Sequence, residues 1–93
     1  MNYRLRYDRH LLQQIEALPG DLRGLARRMI GALAQNPYPP AAKELDGRPG
    51  YYRLWLLRNH RLVYSVLADE QIVDILYLGP KPPDLYVRLG LSR

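Results

Sequence analysis

Arg53, Trp55, Arg61 and Lys81 are the side chains whose types and spacing could do chemistry. An arginine presents a planar fork of N–H donors that grips phosphate through two oxygens, and it stays charged. A lysine offers a compact charge whose pKa its surroundings can move. An indole offers a flat face on which a base can stack. Arg53 and Trp55 are spaced as same-face neighbours of one strand, and Arg61 follows after a turn. Such a set suits a phosphate-rich ligand.

Other chemistries are excluded by what is missing. The chain has no cysteine, so there is no disulfide framework, thiolate zinc site or thiol nucleophile. No His/Asp/Glu spacing suggests a metal, and no Gly-rich phosphate loop or dinucleotide fingerprint occurs, so no cofactor is expected. His60 is a histidine that could handle protons but stands in a turn, where a surface histidine is the plainer reading. His10, at the start of a helix, reads as structural or solvent-facing. Net charge is +5, from 14 Lys+Arg against 9 Asp+Glu. That field attracts phosphates or an acidic protein, or simply confers solubility. Eight Tyr, one Trp and no Phe mean that most rings carry a polar tip suited to an interface.

The elements that must position these residues follow from periodicity. Tyr3, Leu5 and Tyr7 alternate with polar neighbours as a short strand. Asp8 caps a helix with Leu11, Ile15 and Leu18 on one face. Asp21 is the expected N-cap of a second helix carrying Leu22, Leu25, Ala26, Met29 and Leu33. Arg4, Arg6, Arg27 and Arg28 read as a solvated face. The Pro-rich run 36–42 is an irregular exposed connection. From Tyr51 the period becomes two, giving three strands, and Pro82-Pro83-Asp84 opens a terminal helix with Tyr86 and Leu89. The order βααβββ(α) implies one α+β domain over 1–93, an antiparallel sheet with a helical hairpin on one face. No apolar run reaches about 18 residues. The N-terminus lacks a signal-peptide h-region, so a soluble cytoplasmic protein without a membrane partner is expected.

Turn lengths give a trial register. A loop at 58–60 pairs Leu57 with Arg61, Trp55 with Val63 and Arg53 with Ser65; a loop at 68–71 pairs Leu67 with Ile72 and Arg61 with Leu78. One side then holds Tyr52, Leu54, Leu56, Leu62, Tyr64, Val66, Val73, Ile75 and Tyr77, which should pack on the helices. The other holds Arg53, Trp55, Arg61, Ser65 and Asp74 with Leu57, Val63, Leu76 and Leu78, a mixed surface partly covered by a partner or the C-terminal helix. Lys81 can swing towards Arg61, and Arg53 lies about 13 Å down the sheet. Arg53 and Arg61 read equally as solvated arginines, Asp74 neutralising Arg53 across Ser65.

Lys43-Glu44-Leu45-Asp46-Gly47-Arg48-Pro49-Gly50-Tyr51-Tyr52-Arg53-Leu54, then Arg61-Leu62-Val63-Tyr64, then Leu78-Gly79-Pro80-Lys81 and Tyr86, resembles the RelE/ParE toxin superfamily. The resemblance covers most of the chain, and it rests on order and spacing together. It implies a toxin of a type II toxin–antitoxin system, a metal-independent endoribonuclease cleaving mRNA at the ribosome. It also implies a cognate antitoxin, and operator DNA bound only through the antitoxin complex. By position, Arg53 matches a basic residue of the catalytic set, Arg61 the transition-state arginine, Lys81 the terminal basic residue, and Tyr86 a tyrosine that stacks on the substrate base. Lys43, Arg48, Trp55, Arg58 and His60 complete the expected RNA-binding set. Trp55 stands where many relatives carry a second basic residue, and no general base is evident. The alternatives are a ParE-like, non-nucleolytic inhibitor of DNA gyrase, or a non-toxic nucleic-acid-binding corepressor module.

Overall fold

The computed structural model describes residues 2–91. The alternating N-terminus forms β1 (Arg4–Arg6). Asp8 caps α1 (Arg9–Glu16) by accepting a hydrogen bond from the Leu11 amide at 3.0 Å, satisfying one donor that a helix start leaves open. α1 buries Leu11 and Ile15, and Leu18 enters the core just past its end. α2 (Gly20–Gln35) begins earlier than expected: Pro19 takes the N-cap position, and Asp21 lies in the first turn, where its charge favours the helix dipole. No helix among the described residues is long and apolar enough to cross a membrane.

Among the described residues, five strands form one sheet in the order β1-β5-β4-β3-β2, with β2 at Lys43–Glu44, β3 at Tyr51–Trp55, β4 at His60–Leu67 and β5 at Ile72–Pro80. A terminal helix, α3, spans Leu85–Arg88. The α+β class holds, with both helices of the hairpin packed on one sheet face. Strands β2 to β5 are antiparallel, as short connections require. β1 departs from the expected all-antiparallel sheet and joins β5 in parallel, Leu5 beside Val73. The helical hairpin and the rest of the chain lie between these partners and supply the long crossover that a parallel pair needs. β2 was unexpected, for it is too short to show alternation. The 36–42 connection is not wholly exposed either. Pro37 is buried, and its carbonyl accepts the Tyr64 hydroxyl at 2.8 Å.

Two details of register correct the trial pairing. The β3–β4 loop falls at 57–59, the Leu56 amide donating to the His60 carbonyl at 2.8 Å. Trp55 therefore faces Arg61 directly, Arg53 faces Val63, and Tyr51 faces Ser65. This slip of two leaves every β3 side chain on its expected face. In the β4–β5 hairpin, Leu67 meets Ile72 as expected, but the register shifts between Val63 and Tyr64, where Leu76 is the extra residue of a β-bulge. Beyond it the faces exchange. Tyr77, expected on the helix side, leaves it; Leu78, expected on the open side, is core at 1% exposure.

Candidate functional site

The open face of the sheet carries a small apolar cluster of Leu45, Val63 and Leu85, with Tyr51, Leu76, Tyr77, Tyr86 and Leu89 packed against it. α3 thus covers part of this face, and it delivers Tyr86 beside the strand that bears Arg61. Arg61 is 7% exposed. Its guanidinium carbon lies 3.6 Å from the centroid of the Trp55 ring across the rung, and 5.8 Å from that of Tyr86. Arg61 Nη1 donates a hydrogen bond to the Tyr86 hydroxyl, while Nε is buried without an acceptor among the described residues.

The bulge at Leu76 shapes this centre. It places Gly79 opposite Arg61, where Leu78 would otherwise stand. It also gives Lys81 the same parity as Gly79, on Arg61's face. The Lys81 amide extends the ladder by donating to the Asn59 carbonyl at 3.0 Å, and its Nζ lies 5.6 Å from the Tyr86 ring centroid. Gly79 permits a close approach as well: a Cβ there would lie 3.1 Å from the Tyr77 hydroxyl, which donates to the Pro80 carbonyl at 2.5 Å.

Arg53 sits one same-face step from Trp55, so its Cα is about 7 Å from the Arg61 rung rather than 13 Å. Lys43 is its direct cross-strand neighbour. Two cations opposite one another repel unless something anionic intervenes. Asp74, expected to neutralise Arg53, instead pairs with Arg6 at 3.1 Å, because the parallel register of β1 sets those two side by side. Among the described residues, Arg6, Arg27, Arg58 and Arg88 form ion pairs, whereas Lys43, Arg53, Arg61 and Lys81 form none.

The remaining expected residues lie apart. Arg58 forms an ion pair with Asp21 at the start of α2. Arg48 donates from Nε to the Leu91 carbonyl at 3.1 Å, tying down the C-terminal segment. His60 alternates away from Arg61, and its Nδ1 lies 2.8 Å from the Arg58 carbonyl and 3.1 Å from that of Leu57. Both neighbours are acceptors, so Nδ1 carries the proton. Tyr64 is on the helix side, where burial pushes its pKa up. Among the described residues, no group of His, Asp and Glu could hold a metal ion. Sequence reasoning had missed Tyr77 on this face; only the bulge places it there, and the apolar run Ile75–Leu78 does not mark a bulge.

No family model matches the chain, and no curated protein matches it. Solved structures do. One similar structure is a free E. coli RelE toxin bearing two arginine-to-alanine substitutions: 24% identity, TM-score 0.79, 97% of this chain and 96% of that one covered. A chain of the intact E. coli RelBE toxin–antitoxin complex shares 26% identity at TM-score 0.73, over 86% and 98%. A chain of the archaeal RelE–RelB complex from Pyrococcus horikoshii shares 24% at 0.75, over 89% and 99%.

Proposed function

We propose that this chain, which has the fold of the RelE toxins, is the toxin of a type II toxin–antitoxin system and cleaves mRNA at the ribosome without a metal. The observation that carries this reading is Arg61, a buried guanidinium with no carboxylate against it among the described residues. A buried charge without a counter-ion is costly. Two rings and a hydroxyl offset part of that cost and leave the positive charge standing for an incoming anion. A scissile phosphate is such an anion.

When a 2′-hydroxyl oxygen attacks phosphorus, its proton passes to solvent water, the bond to the 5′-oxygen breaks, and negative charge builds on the phosphoryl oxygens between. Arg61 meets that charge. The departing 5′-oxygen needs a proton, which Lys81 can donate. The Tyr86 ring offers a face to the adjoining base, and Arg53 with Lys43 grips flanking phosphates. A cognate antitoxin is the expected protein partner, as antitoxin accompanies the E. coli and Pyrococcus toxins in their complexes.

Induction followed by mapping of mRNA ends on translating ribosomes tests the reading. Codon-phased ends should appear, and Arg61→Ala should reduce them by roughly 10²–10³-fold. A second reading, inhibition of DNA gyrase without nucleolysis, is favoured by one observation: Tyr64 and His60, two groups able to exchange protons, both point away from Arg61. Loss of gyrase supercoiling with intact mRNA would establish that reading instead.

A further inference from the structure

We infer that Trp55 is a positioning residue, its indole holding the Arg61 guanidinium in place for an anion rather than binding the ligand itself. The inference rests on the ribonuclease reading for the nature of that anion. The loop at 57–59 puts Trp55 and Arg61 on one rung and one face. At 3.6 Å from the ring centroid, the guanidinium carbon is at stacking contact with the indole. Burial is unequal: Arg61 is 7% exposed and Trp55 49%, so the ring is the cover and the cation is what it covers.

A guanidinium this dry ordinarily faces a carboxylate. Asp74, the acid on the same sheet face, is committed to Arg6 at 3.1 Å. The negative face of a ring takes the carboxylate's place, with one chemical difference. A carboxylate would cancel the charge and compete with phosphate, whereas a ring leaves the charge intact. Trp55 fixes the guanidinium plane, and the bond from Nη1 to the Tyr86 hydroxyl fixes its rotation within that plane. Nε is then left buried with no acceptor among the described residues. A phosphate oxygen that approaches in the guanidinium plane, with the indole still on its face, would supply the missing partner.

Arginine Nε–H resonances of the whole chain test the contact directly. Ring current from the indole should hold the Arg61 signal, identified by its loss in Arg61→Lys, upfield of the other arginines. Trp55→Leu should return it towards them, and Trp55→Phe should keep most of the displacement. An unmoved signal in Trp55→Leu overturns the inference. In cleavage assays Trp55→Leu should lower kcat on the order of tenfold with a much smaller change in KM, and Trp55→Phe should recover most of the loss. Trp55→Leu should cost nothing further in an Arg61→Ala background. An equal loss there means that the indole touches the ligand itself, and overturns the inference. If the unaltered protein cleaves no RNA, the ribonuclease reading fails and the inference is still decided. Inorganic phosphate should then shift the Arg61 signal downfield, and less so in Trp55→Leu; equal shifts overturn it.

Discussion

The two faces of β4 are equally buried and do opposite things. Leu62, Tyr64 and Val66 point under α1 and α2; Arg61, Val63 and Ser65 point to the open face; all six are buried. On the helix side the polar group that β4 contributes, the Tyr64 hydroxyl, donates to the Pro37 carbonyl at 2.8 Å. On the open side the Arg61 Nε has no partner among the described residues. Burial therefore does not separate core from site in this sheet. Among the side chains of β4 satisfaction does: one face is closed in packing and hydrogen bonding, and the other leaves a buried N–H without an acceptor among the described residues.

Adjacent residues can break that contrast. Leu62→Ala should cost about 2–5 kcal/mol of folding stability, since the cavity it leaves lies between sheet and helices. Activity should fall only as far as the protein unfolds. Arg61→Ala should cost about 3–4 kcal/mol in the transition state, roughly 10²–10³ in kcat, with stability little changed because an uncompensated charge has been removed. Urea melts and cleavage rates on the two variants check this together. Matching losses of stability would mean that the open face is only another part of the core.

Tyr64→Phe comes next. Losing the hydroxyl leaves the buried Pro37 carbonyl unpaired, at about 1–3 kcal/mol. Its pH signature is specific to the closed face. Burial raises the Tyr64 pKa above its ordinary value of 10.0, so the native state resists ionisation more than the unfolded chain does. The stability linked to this group is complete below about pH 10 and is lost as pH rises towards the folded value. Tyr64→Phe should thus be less stable at pH 7 yet flatter in alkali. Melts that lose stability equally between pH 9 and pH 11 in both proteins would contradict the sign.

Much of the closed face was legible because its signal is local. Alternation over 51–66 assigns inside and outside, and it survives an error of two in the β3–β4 loop because side chains repeat every two residues. The β5 end was not legible. Ile75, Leu76, Tyr77 and Leu78 are all apolar, so nothing in their types marks Leu76 as the extra residue. Yet that residue exchanges Tyr77 with Leu78 and brings Lys81 to the face of Arg61. The parallel docking of β1 was hidden for another reason: its partner lies almost the whole chain away, and only the assembled sheet pairs Arg6 with Asp74. Residue types thus pointed to Arg61 and Lys81, and the resemblance to Tyr86, but the reason they meet was tertiary.

The smallest expected effect is at the joint between the two regions. Arg58 and Asn59 both take the left-handed conformation at φ 58, which costs an arginine roughly 1–2 kcal/mol, and the Arg58–Asp21 ion pair ties this hairpin tip to α2. The neighbouring Asn59 carbonyl holds the Lys81 amide, so the tip belongs to both faces. Hydrogen bonding to Arg58 draws the Asp21 pKa below its ordinary 3.8. Its contribution is therefore present above that value and is lost as pH falls through the folded pKa. Asp21→Asn should lower stability slightly at pH 7. The difference should shrink with added salt and vanish in acid, because both side chains are more than half exposed to solvent. Cleavage should stay within about twofold, since a solvated pair of this kind holds the tip only loosely. A loss as deep as that of Arg61→Ala would show instead that the tip governs Lys81, and that the open face is set from the helix side.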